Sequence, residues 1–151
     1  MSEKRTKQCF LEVLRGVASG AGDSFSGLGM LLYKTGLFSK KHYTDLRPSF
    51  SCPGGVFLGD KKTIGFLLDI ANKSNPLHDG FIFFNECGEM KKISQYFSPS
   101  PVDGIIPNEC YGTRYRAAQY GSFLQGVILT GIVCSEDKKY FAFRKGRCIV
   151  L

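Results

Sequence analysis

Apolar residues at Ile64, Leu67, Leu68 and Ala71 follow the i, i+3, i+4, i+7 spacing of one helix face. They predict a helix from Asp60 to Asn72 with Asp60 as its N-cap, stopped by Asn75-Pro76. The period then changes. Phe81-Ile82-Phe83-Phe84 is a continuous apolar run, the pattern of a strand covered on both faces, and Gly88 with its neighbours turns the chain into a second strand near Lys91 to Tyr96. A loop carrying Pro99, Pro101 and Pro107 leads to a helix from Thr113 to Phe123. Val127 to Val133 predicts the most buried strand. Ser135 to Lys139 turns it into Tyr140 to Phe143 and a last strand at Cys148 to Leu151.

The first third of the chain is less regular. An amphipathic start, Gln8 to Val17, gives way to a glycine-rich passage from Gly16 to Gly36, within which Met30 to Tyr33 predicts an apolar turn of helix. Pro48, Pro53 and the pair Gly54-Gly55 make Arg47 to Gly55 a loop that feeds a short strand, Val56 to Leu58. Strands alternating with helices predict an α/β single domain, a mixed central β-sheet flanked by helices. Residues 1–59, the N-terminal helix and glycine-rich segment, belong to the same domain as the core at 60–151.

Composition narrows the function classes. At 151 residues the chain suits one domain, which needs no disulfide or metal to fold. The net charge of +7 is dispersed in small groups such as Lys40-Lys41, Lys61-Lys62 and Lys138-Lys139, without the dense block or interleaved aromatics of a nucleic-acid arm. Nucleic acid is therefore not favoured, and an anionic small ligand fits the charge as well. The six cysteines form no Cys-x-x-Cys pair, which argues against zinc. With no secretory signal ahead of them, they read as reduced thiols in the cytoplasm. No apolar stretch approaches the roughly 18–20 residues that cross a bilayer.

Three polar clusters carry candidate chemistry. Leu77-His78-Asp79-Gly80 stands before a buried strand and offers an imidazole and a carboxylate beside a glycine; it also reads as a plain tight turn. Gly112-Thr113-Arg114-Tyr115-Arg116 stands at a helix head, where free N–H groups and guanidiniums suit phosphate. Cations there oppose the helix dipole, so their presence points to a ligand, against the alternative of a solvated basic face with Thr113 as N-cap. Ser135-Glu136-Asp137 leaves the most apolar strand and reads equally as ligand contact or hairpin turn. Gly20-Ala21-Gly22-Asp23 looks like the anion-hole motif of ribokinase-like sugar kinases, but that fold needs a longer chain with the motif late in it. Here it is read as a glycine-rich loop, a candidate cover for the site.

In order and spacing, the three clusters resemble the signature of the diadenylate cyclase (DAC) domain, the module that makes cyclic di-AMP. The resemblance runs from near Lys61 to the C-terminus. It implies that an Asp-Gly-Ala motif and an Arg-His-Arg motif flank ATP, and that two domains meet face to face so that each 3′-hydroxyl attacks the α-phosphate of the other ATP. Carried over, it makes Asp79 the group that activates the 3′-hydroxyl and His78 a ligand of Mg²⁺ or Mn²⁺. Thr113, Arg114, Arg116 and Ser135 then grip the polyphosphate, Gly80 and Phe81 lie against the nucleoside, and Glu136 supports. Self-association is required for turnover, and an additional domain or regulatory protein is a further expected partner.

Two positions depart from the family pattern. Phe81 replaces alanine, and Tyr115 replaces the histidine between the arginines. The ring of Phe81 either turns into the core or narrows the nucleoside pocket. Two functions follow: an active cyclase, or a degenerate DAC-like domain that binds ATP or a cyclic dinucleotide as a sensor or assembly module.

Overall fold

The computed structural model describes residues 2–149. Helix α1 (Glu3–Gly20) precedes strand β1 (Leu28–Tyr33) and the short strand β2 (Tyr43–Asp45). Helix α2 (Thr63–Ile70) leads to the antiparallel pair β3 (Phe81–Asn85) and β4 (Met90–Phe97). Helix α3 (Thr113–Gly121) then precedes β5 (Val127–Val133), β6 (Tyr140–Arg144) and β7 (Arg147–Cys148). All seven strands form one sheet in the order β2-β4-β3-β1-β5-β6-β7. It is mixed, because β1 runs parallel to β3 and antiparallel to β5.

Alternation along the central strands builds two cores. Met30 and Leu32 of β1 join Ile82 and Phe84 of β3 under α1 and α2, with Phe10, Leu14, Val17 and Leu67 above them. Leu31, Phe81 and Phe83 point the other way, where Ala118 of α3 packs with Phe97, Ile132 and Phe143. Each strand is covered on both sides. That is why its sequence reads as an unbroken apolar run instead of an alternating one.

Several elements differ from the expectation. Met30 to Tyr33 is strand, not helix: a six-residue apolar run carries no period long enough to separate the two, and pairing with β3 and β5 decides it. Helix α1 begins earlier and ends later than its amphipathic stretch. Ser2 caps it by accepting from the Arg5 N–H (3.2 Å), and Gly16 and Gly20 lie where a Cβ would stand 2.3 and 2.8 Å from side-chain carbons of Ile64 and Leu68 on α2. These glycines serve helix contact. Val56 to Leu58 contributes a single bridge, Phe57 to Glu89, because the chain turns at once into the approach to α2.

Helix α2 is shorter than its apolar period, and Lys62 takes the cap position. Asp60 shapes the preceding turn instead, its carboxylate accepting from the Lys62 N–H at 2.9 Å. Helix α3 stops at Gly121, two residues short of the expected end, and Ser122 to Leu124 follow as turns. In the last hairpin β7 ends at Cys148; of the strand expected there, Val150 and Leu151 lie outside the described residues. Among the described residues, no helix is long and apolar enough to cross a membrane.

Candidate functional site

The starts of β1 and β3, the end of β5 and the head of α3 converge at one end of the sheet, where Gly29 pairs with Phe81 and Leu28 with Val133. The turn before β3 is held by its own side chains and by the loop after β2. Asn75 Oδ1 accepts from the Leu77 N–H at 2.9 Å, and Arg47 Nε donates to the Pro76 carbonyl at 3.0 Å. Gly80 adopts φ +82°, and a Cβ there would stand 2.4 Å from the Gln95 carbonyl oxygen, so only glycine fits the backbone this closely against β4. Asp79 emerges from this turn with its side chain 55% exposed, and its Oδ1 lies 3.5 Å from His78 Nδ1.

Helix α3 starts without a side-chain cap. Gly112 holds the cap position, so Thr113 is not the N-cap; it is exposed on the first turn beside N–H groups that no capping side chain takes. Two clefts meet along this helix head and share Thr113 and Arg114 in their walls. The first, of about 310 Å³, has Asp79, Gly80 and Phe81 on one side, with Gln95, Tyr96 and Leu46 around it. The second, of about 320 Å³, is bounded by Gly27, Tyr111, Cys134, Ser135, Glu136 and Asp137. Here the Tyr111 hydroxyl donates to Asp137 at 3.4 Å, and burial pushes the Cys134 thiol up to about 11.

The residues expected to act together are thus divided. Asp79, Gly80 and Phe81 wall one cleft and Ser135 and Glu136 the other. Arg116 is exposed and lines neither. Arg114 sits between them, half-buried, with Nη1 donating to the Ser26 carbonyl and Nη2 to the His78 carbonyl, both at 2.9 Å. Burial lowers its pKa from the ordinary value, and the charge of Asp79 partly restores it.

Both departures from the family pattern have a packing explanation. Phe81 is 3% exposed; its ring meets Phe97 edge-on at 5.2 Å and covers Gly29, where a Cβ would lie 2.9 Å from it. Tyr115 stacks on Tyr111 at 5.0 Å and meets Phe141 and Phe143 edge-on, and burial raises its hydroxyl pKa. Sequence reasoning missed Leu46, Gln95, Tyr96 and Tyr111 as lining residues, since their relation to the clefts depends on distant chain segments. The one local signal was that Gln95 and Tyr96 lie within β4, the strand expected directly after β3.

The donor set constrains where a divalent ion fits. His78 lines neither cleft, and its Nδ1 is covered without a hydrogen-bond partner. Among the described residues, no three His, Cys, Asp or Glu side chains gather to hold an ion. Asp79 is the carboxylate facing the first cleft. A single carboxylate suits a divalent ion completed by oxygen ligands from elsewhere, and of the His78 imidazole only Nδ1 is covered, the side chain being 28% exposed beside Asp79.

No family model matches the chain, and no curated protein matches it. Solved structures do. A protein from Bacillus cereus described as a hypothetical membrane spanning protein superposes with a TM-score of 0.66 at 18% identity, over 97% of this chain and 64% of its own length. A cysteine double mutant of DacA from Staphylococcus aureus, a DAC-domain protein, superposes with a TM-score of 0.64 at 19% identity, over 96% of this chain and 87% of its own. The fold is DAC-like. This chain therefore spans less than two thirds of the Bacillus cereus protein and most of the DacA chain.

Proposed function

We propose that this DAC-like domain joins two ATP molecules into cyclic di-AMP. Its support is one juxtaposition: the exposed Asp79 carboxylate and the uncapped head of α3 form walls of a single cleft. An oxygen base and a cluster of N–H donors are what the reaction requires, because phosphoryl transfer depends on positioning and on charge stabilisation. Asp79 accepts the proton of a 3′-hydroxyl as that oxygen bonds to the α-phosphorus of the ATP on a second protomer. The bond from that phosphorus to pyrophosphate breaks. Two such transfers close the ring and release two pyrophosphates.

Thr113 and the first N–H groups of α3 hold phosphate from the shared wall, and Ser135 and Glu136 border the adjoining cleft into which a polyphosphate extends. Asp79 would hold a Mg²⁺ or Mn²⁺ together with phosphate groups of the nucleotide, and the ion would supply charge neutralisation at the polyphosphate. The second reading, a domain that binds nucleotide without turnover, draws on Arg114, whose terminal nitrogens are engaged by backbone carbonyls.

Incubation with ATP and Mg²⁺ or Mn²⁺, read by mass spectrometry, tests the cyclase. Cyclic di-AMP is the expected product. Asp79→Asn is expected to reduce the rate by about 10²–10⁴-fold, the usual worth of a general base, while ATP affinity stays largely intact. No product from the parent protein, or an unchanged rate in the variant, would overturn the cyclase or the role of Asp79 respectively.

A further inference from the structure

The geometry points to Arg114 as a positioning residue: its guanidinium straps the loop before β1 and the turn before β3 to the head of α3, and thereby holds Asp79 at its cleft. Its two bonds reach carbonyls from distant parts of the chain, Ser26 on one side and His78 on the other, each at 2.9 Å. The second of these oxygens belongs to the residue next to Asp79. Nε is covered and has no hydrogen-bond partner.

The surrounding chain is shaped for this side chain. Gly27 follows the Ser26 carbonyl at φ +97°, and a Cβ added there would stand 2.7 Å from Nη1. A cation on the first turn of α3 opposes the helix dipole, and hydrogen bonds to two carbonyls offset that cost. A planar fork is required, since one ammonium on a flexible stem cannot hold the same two directions. Arg114 therefore acts through Asp79 and not by gripping phosphate.

The catalytic part of this inference rests on the cyclase reading; the strap itself does not. Arg114→Lys separates the two roles, because it keeps the charge that phosphate would feel and loses the fork. For the parent, Arg114→Lys and Arg114→Ala, three quantities are measured: ATP dissociation constant, turnover at saturating ATP, and residue-resolved amide exchange. The strap predicts faster exchange at residues 26–28 and 77–80 in both variants, with β5 protection unchanged. It also predicts turnover lower by about a hundredfold in both, as misplacement of a reacting group by about 1 Å costs, with the ATP dissociation constant nearly unchanged.

A phosphate ligand predicts the converse. ATP affinity would fall by about 10–100-fold in Arg114→Ala and recover substantially in Arg114→Lys, with exchange unaltered, and that result would overturn the proposal. Absence of cyclic di-AMP from the parent would remove the cyclase reading alone, and the exchange measurement would still decide whether the strap exists.

Discussion

Phe81 stands where the family that the sequence resembles has alanine, and the two consequences open to it have different energetic signatures. Phe81 borders the Asp79 cleft but is only 3% exposed, and its ring packs against Phe97 and over Gly29 in the core beneath α3, so truncation chiefly removes packed carbon. Phe81→Ala is expected to cost about 3–5 kcal/mol of stability, as large-to-small changes of buried rings do. Chemical denaturation measures the loss, with ATP affinity expected to stay near the parent value. A variant of unchanged stability that binds ATP more tightly would instead put the ring in the nucleoside site. Tyr115 belongs to the same argument: three aromatic neighbours hold it, so its replacement of histidine serves packing on the β6 side of α3.

At the scale of elements, α1 carries its electrostatics at its first turn. Glu3 accepts from Lys7 one turn on, at 3.2 Å, and from Lys34 beyond the end of β1, at 3.5 Å, while its charge also suits the positive end of the helix dipole. The hydrogen bond from Lys7 is the largest influence lowering its pKa, opposed by desolvation and aided by the charge of Lys34. A depressed carboxylate pKa stabilises the fold above the unfolded value, and the contribution disappears as pH falls through the folded one. Because the pair is solvated, Glu3→Gln is expected to cost only about 0.3–0.5 kcal/mol near neutrality, and the gap between variant and parent should close in acid. Stability curves at the two pH values check this; a gap that persists in acid would assign the effect to packing.

The elements also show what the amino-acid order makes visible. β3 and β5 are legible because continuous burial leaves a continuous apolar run, and the turn before β3 is legible from Asn75, Pro76 and Gly80. β1 is not. Its six residues are central to the sheet, but their strand character comes from partners more than fifty residues away in sequence, such as Ile82 opposite Met30. The same limit hid the work of Arg114. Its place at a helix head is a local property, whereas its hydrogen bonds to Ser26 and His78 are tertiary. The division of Asp79 and Ser135 between two clefts depends on how α3 lies across the sheet end, which no motif spacing records.

For the molecule as a whole, the proposed reaction demands more than one site contains. The Asp79 cleft of about 310 Å³ and the adjoining one of about 320 Å³ both open at the same end of the sheet. Under the proposed cyclase function, two such ends would face each other about a two-fold axis, so that each base would serve the nucleotide held opposite. The most direct measurement is the initial rate of cyclic di-AMP formation per protomer across a wide protein dilution series, with the oligomeric state followed in the same samples. The account predicts that the specific rate rises with concentration and levels off as the dimer becomes the main species. A constant specific rate in a protein that stays monomeric throughout would contradict it.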